Sequence, residues 1–209
     1  MKKDRILFLC AHSDDEVIGA GGTIAKYAKN GNKVKVIIFT TGEKIVPWIK
    51  EGYIIGKRKK ESESVAKHLR YEIEFLELQE GKISDSDVNL KRHIREKIVE
   101  FKPDKIFTHS TQDAHPDHQA INKIVTKVVR GLRRKPKVFT FIVWNITNPK
   151  NVAKLYVDVS DTFNDKIAAL QAFKTQKLVV ALFYIPIYIK ARIAGMQNNC
   201  RYAEVFYIE

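Results

Sequence analysis

Residues 6–39, ILFLCAHSDDEVIGAGGTIAKYAKNGNKVKVIIF, decide the fold. The run Ile6-Leu7-Phe8-Leu9-Cys10-Ala11 is apolar without alternation, as a strand buried on both faces must be, and Val34 to Phe39 returns to that character. Between them Gly19 to Lys29 has helical spacing, with Ile24, Ala25 and Ala28 on one side. Asn30-Gly31-Asn32 then supplies a stop and a turn. The stretch spells strand, helix, parallel strand.

Downstream the alternation continues, with a helix near Gly56 to His68, a strand at Glu72 to Glu77, a helix at Val88 to Phe101 and a strand at Lys105 to His109. Pro103 marks the turn between the last two. A helix from Pro116 to Leu132 and strands at Lys137 to Val143 and Leu155 to Val159 follow. A helix from Ser160 to Lys174, capped by Ser160 or Asp161, and a last strand at Tyr202 to Ile208 complete the series. Such alternation predicts an α/β protein with a doubly wound, largely parallel sheet and helices on both faces. No linker or repeat divides residues 1–209, so one domain is expected.

Two histidine-aspartate clusters follow two of these strands: His12-Ser13-Asp14-Asp15-Glu16 after the first, and His115-Pro116-Asp117-His118 after the strand ending at His109. Ligands of open parallel sheets bind beyond the carboxyl ends of the strands, so the topology predicts that the clusters converge. His12 and Asp15 can bind one ion from a tight loop, with His118 as a third ligand and a position left for water, as in catalytic zinc sites. Mixed imidazole and carboxylate ligation also suits iron or nickel, and calcium or magnesium less well. Asp14 is then the candidate base, and His115 the candidate donor to an oxyanion or leaving group. Asp113 or Asp117 would fix the His115 tautomer. Taken singly, an Asp pair after a strand is a helix cap and a lone histidine is solvated; the matching positions of the two clusters favour the metal site.

The chain carries 37 Lys and Arg against 24 Asp and Glu, a net charge of +13, which points to an anionic partner. No recognised DNA- or RNA-binding motif accompanies it, so a nucleic-acid binder is the weaker reading. Lys57-Arg58-Lys59-Lys60 and Arg133-Arg134-Lys135 read as solvated helix ends, or, for the first, as a lure for an anionic sugar. Trp48 can stack on a sugar ring or simply pack. Two cysteines imply no disulfide framework and favour a reducing, cytoplasmic location. The opening apolar run is too short for a signal peptide. Leu178 to Ile189 is interrupted by Pro186 and falls short of the roughly 20 residues of a membrane span. It reads as a core or interface segment, with a peripheral membrane contact or homo-oligomer as the sharper alternative.

Ala11-His12-Ser13-Asp14-Asp15-Glu16 with Gly19, Gly21 and Gly22, followed by His115-Pro116-Asp117-His118-Gln119-Ala120, resembles the signature of the LmbE/PIG-L family of zinc-dependent N-acetylglucosamine deacetylases. Weaker similarities run through Arg58, Glu61, Leu69, Lys166, Ala169, Gln176 and Tyr202-Ala203-Glu204. The resemblance implies a Rossmann-like fold that hydrolyses the acetamide of an N-acetylglucosamine unit. It also implies Zn2+ on His12, Asp15 and His118, Asp14 as base, His115 at the oxyanion and Arg58 in substrate binding. A different amide of an amino-sugar conjugate is an alternative substrate. Ser13 departs from the proline more frequent in the family, and Asp113 stands where some relatives place a tyrosine near the site.

Overall fold

The computed structural model describes residues 3–40, 51–144 and 152–209; Trp48 lies outside them. The first unit is strand β1 (Arg5–Cys10), helix α1 (Asp15–Lys29) and strand β2 (Lys33–Thr40). Next come α2 (Glu51–Leu69), β3 (Glu72–Leu78), α3 (Val88–Phe101), β4 (Lys105–His109), α4 (Pro116–Arg130) and β5 (Lys137–Phe141). The chain finishes with β6 (Lys154–Asp158), α5 (Phe163–Ala172), a 3-10 turn at Lys174–Gln176, α6 (Lys177–Gln197) and β7 (Ala203–Ile208). The sheet has seven strands in the order β3-β2-β1-β4-β5-β7-β6. Pairing is parallel from β3 through β5, and β7 enters antiparallel between β5 and β6.

Residues on successive positions of β1 feed opposite cores, as a period of two demands. Ile6, Phe8 and Cys10 join α1, α2, α5 and α6 on one face, while Leu7, Leu9 and Ala11 join α3 and α4 on the other. Helices therefore cover both faces, as the alternation predicts. Phe107 of β4 stacks on Phe8 at 4.7 Å and on Phe139 at 5.1 Å, binding three adjacent strands through one aromatic row.

Two local expectations are corrected, and one segment gains an element. Helix α1 starts at Asp15, ahead of the predicted Gly19, so Asp15 and Glu16 occupy its first turn and not a free loop. Its glycines do not delay the helix; they let it approach the sheet. A Cβ on Gly19 would lie 2.3 Å from Phe141, and one on Gly22 would lie 2.9 Å from Val159. Helix α5 is preceded by Thr162 and not capped by Ser160 or Asp161. Thr162 Oγ1 donates to the Gly22 carbonyl at 2.8 Å, and Ser160 Oγ donates to Asp158. Finally, the apolar stretch at 178–189 belongs to α6, which buries Val180 and Ile187 but leaves Leu178, Leu182 and Ile185 exposed.

Candidate metal centre

Beta strands β1 and β4 are neighbours in the sheet, yet their outgoing connections run to opposite sides, β1 toward β2 and β4 toward β5. Their carboxyl ends form the topological switch point at which a crevice opens in a doubly wound sheet. Both histidine-aspartate clusters lie there. Cys10 ends β1 just before the first cluster, and His109 ends β4 a short turn before the second.

Three donor atoms converge at this point. Asp15 Oδ2 lies 3.2 Å from His12 Nδ1 and 3.2 Å from His118 Nε2, and the two ring nitrogens are 3.3 Å apart. Ligands at about 2.0–2.2 Å on a tetrahedral ion stand roughly 3.4 Å from one another. The triangle of His12, Asp15 and His118 thus has the edge length of one tetrahedral face, and this donor set fits a metal ion. Ring nitrogens of His12, His115 and His118 also lie within 4.8 Å of one another, as do donor atoms of Asp15, His109 and His118.

Carboxylates draw positive charge to this spot. Burial acts to discharge His12, but Asp117 and Asp15 outweigh it and raise its pKa to about 10. His118 is likewise lifted to about 9 by Asp15 and Asp113 against the effect of burial. Burial acts to raise the pKa of Asp15, but the charge of His118 outweighs it and holds the carboxylate well below its usual range. Asp113, opposed by burial but stabilised by His118 and by the amides of Val143 and His115, is held at about 2.

Supporting contacts fix each ring. Asp113 Oδ1 lies 3.1 Å from His118 Nδ1, and its Oδ2 accepts the Val143 amide at 2.7 Å. Asp117 Oδ2 lies 3.5 Å from His12 Nε2 and accepts the Gly81 amide at 2.8 Å. The sequence sets these two aspartates against the His115 ring; in the fold they face His118 and His12 instead. The tautomer of His115 is set by a backbone group, because its Nδ1 accepts the Asp117 amide at 3.2 Å as the N-cap of α4. In the neutral ring the proton therefore sits on Nε2. Burial, then the charges of His12 and His118, lowers the His115 pKa and favours that neutral form.

Asp14 occupies the N-cap of α1 with φ 115°, a backbone region costly for any side chain but glycine. Its side chain is buried, and burial with the neighbouring Asp15 and Glu16 raises its pKa well above the ordinary range, while His12 and Arg58 oppose the rise. Arg58 is buried at 1 % exposure, in contrast to the solvated helix end its sequence neighbours suggest; Lys57 and Lys60 are exposed. Glu16 closes the turn: its Oε2 accepts the Asp14 amide and its Oε1 accepts the Tyr71 hydroxyl at 3.0 Å.

One residue escaped the sequence reading. His109, buried at the end of β4, accepts the Ala11 amide on Nε2 at 2.9 Å and stacks on His118 with ring centroids 3.7 Å apart. Its Nε2 is committed to that amide, and burial with the His118 charge lowers its pKa to about 4, so it is a neutral wall of the site. A histidine closing an apolar strand at the switch point was the available signal. Gln176, from the far end of the chain, donates to the Ser13 carbonyl at 2.8 Å and holds the first cluster in place.

The chain is similar to known proteins in sequence and in fold. A 1D-myo-inositol 2-acetamido-2-deoxy-alpha-D-glucopyranoside deacetylase of Mycobacterium sp. (strain KMS) is 25 % identical, over 85 % of this chain and 75 % of its own. Among solved structures, the N,N'-diacetylchitobiose deacetylase from Pyrococcus horikoshii superposes with a TM-score of 0.86 at 20 % identity, covering 99 % of this chain and 84 % of that one. The 4-carboxy-2-hydroxymuconate hydratase GalB from Pseudomonas putida KT2440 reaches 0.84 at 19 %, covering 98 % and 95 %. Two of these three are deacetylases, which hydrolyse amide bonds; the third shows that one fold carries more than one reaction. The model of the PIG-L family, described as GlcNAc-PI de-N-acetylase, matches residues 7–129. That match spans more than half of the 209 residues and contains both histidine-aspartate clusters, and the chain belongs to the PIG-L family.

Proposed function

We propose that this protein is a zinc-dependent hydrolase that removes the acetyl group from an N-acetylglucosamine-containing substrate, giving acetate and a free amine. The observation that carries the reading is the triangle of His12 Nδ1, Asp15 Oδ2 and His118 Nε2, with edges of 3.2–3.3 Å, beside a buried carboxylate of raised pKa. A zinc ion held by these three residues would polarise the amide carbonyl and lower the pKa of water to about 7. Asp14 takes the proton as water attacks the amide carbon, a role its raised pKa suits. His115, with its proton on Nε2, donates to the developing oxyanion. The proton must then reach the amide nitrogen before the C–N bond breaks. Asp113 and Asp117 orient the rings of His118 and His12, and Arg58 steadies the charge of Asp14.

Two cysteines, neither in a disulfide, favour a cytoplasmic location. Among the described residues no helix is long and apolar enough to cross a membrane. The test is acetate release from N-acetylglucosamine, its oligomers and its inositol conjugate, with and without a chelator. Chelator-sensitive release restored by zinc is expected. Hydrolysis of other amides without acetate release would move the activity to a different conjugate. Salt-sensitive DNA binding with no hydrolysis would overturn the enzyme reading.

A further inference from the structure

Aspartate is among the strongest N-cap residues, because from a backbone in the β region its side chain accepts the amide of the second or third helical residue. Asp14 stands at the N-cap of α1 and does neither: its φ is 115° and its side chain makes no cap bond. An ordinary cap would tie the Asp14 carboxylate to the amide of Glu16 or Val17. The conformation it holds instead costs on the order of 1–3 kcal/mol and persists only where surrounding contacts enforce it. Two sets of bonds do so here. The Asp14 carbonyl accepts the amides of Val17 and Ile18, each at 2.9 Å, as at any helix start. The Asp14 amide donates to Glu16 Oε2 at 3.1 Å. That second bond is half of a capping box, made by the second helical residue in place of the third and without the reciprocal bond from the cap side chain.

Glu16 is itself held. It is fully buried, and its Oε1 accepts the Tyr71 hydroxyl at 3.0 Å across 55 positions of sequence. Tyr71 is anchored independently of α1. It follows Arg70, whose φ of 61° ends α2, its amide donates to the Ala66 carbonyl at 3.0 Å, and its ring packs in the core shared by α1, β1 and β2. We propose that Tyr71, acting through Glu16, is a positioning residue for the reaction: the pair withholds Asp14 from capping α1 and keeps its carboxylate off the helix amides, ready to take a proton. This rests on Asp14 being the base, as proposed above. Helix α2 then reaches Asp14 twice, with the Arg58 charge acting on the side chain and Tyr71 acting through Glu16 on the backbone.

Tyr71→Phe removes only the hydroxyl and leaves the ring in the core. Its kcat for acetate release should fall about 10- to 100-fold, the usual effect of losing an outer contact that orients a reacting group. KM and zinc binding by equilibrium dialysis should not change, because the loss concerns the proton step alone. The crystal structure of Tyr71→Phe should show Asp14 at negative φ with its carboxylate on the amide of Glu16 or Val17. Glu16→Gln is the conservative counterpart. Its amide oxygen accepts from Asp14 while its NH2 donates to the Tyr71 oxygen, so kcat should stay within about threefold of wild type. Full activity in Tyr71→Phe, a positive φ retained at Asp14 in that variant, or a Glu16→Gln protein as impaired as Tyr71→Phe would each overturn the proposal. Should the wild-type protein release no acetate, the proposed function falls, and the crystal structure alone decides whether Tyr71 holds Asp14.

Discussion

Asp14, the proposed base, sets function against stability at the scale of one residue. It holds a positive φ of 115° without making a side-chain cap bond, so its backbone strain returns nothing to the helix it starts. Asp14→Gly should therefore raise stability by about 1 kcal/mol, seen as a higher denaturant midpoint, while abolishing turnover. Asp14→Asn, which tolerates positive φ, should keep stability and zinc and lose 100- to 10,000-fold in kcat, the typical worth of a positioned base. Full activity in either variant would remove Asp14 from the proton step. His109 makes the complementary case. His109→Ala leaves the buried Ala11 amide unpaired and removes the ring under His118, so zinc affinity should fall about 10- to 100-fold by equilibrium dialysis. The convergence of His12, Asp15 and His118 was legible because they follow two strands at fixed offsets. The partners of His109, Asp113 and Asp117 were not, because a ring's partner depends on how the helix after it is rotated, and sequence spacing does not carry that angle.

At the scale of an element, helix α1 begins at Asp15, four residues before the start its spacing predicts. Three glycines near its start would each cost up to about 1 kcal/mol in an exposed helix. Burial reverses the argument, because Gly19 lies against Phe141 and Gly22 against Val159 with no room for a methyl group. Helix α3 and strand β4, by contrast, took their predicted bounds, Val88–Phe101 and Lys105–His109: α3 turns Leu90, Ile94, Ile98 and Phe101 to one core, and β4 sends Ile106 to that core and Phe107 to the other. The contrast can be measured. Gly19→Ala should destabilise by about 1–3 kcal/mol through overpacking. Gly56→Ala, in α2, has nothing within 4 Å of its new methyl and should stabilise by about 0.5–1 kcal/mol. Urea midpoints moving in the same direction for both would refute this account of α1.

Across the whole molecule, the last third of the chain braces a site whose candidate ligands all come from the first 118 residues. The buried Lys166 Nζ, from α5, donates to Glu204 Oε1 of β7 at 2.6 Å and to the Ile18 carbonyl of α1 at 2.8 Å. Glu204 in turn accepts the amides of Gly22 at 3.1 Å and Thr23 at 2.8 Å. These contacts clamp the middle of α1, and with it the first turn that carries Asp15. The fold class could be read from alternation alone, but this tie joins positions 148 and more residues apart, which no local pattern signals. Lys166→Met removes the cation and leaves Glu204 buried and uncompensated, at a cost of about 3–5 kcal/mol. In a protein of this size each kcal/mol moves Tm by about 2–4 °C, so the metal-free variant should melt on the order of 10 °C low. Zinc at about 1,000 times its Kd restores about 4 kcal/mol by binding only the folded state. The zinc-loaded variant should then melt near the metal-free wild type in differential scanning calorimetry. A variant that is destabilised as expected but gains nothing from zinc would show that Lys166 shapes the metal centre itself, through the hold it keeps on α1.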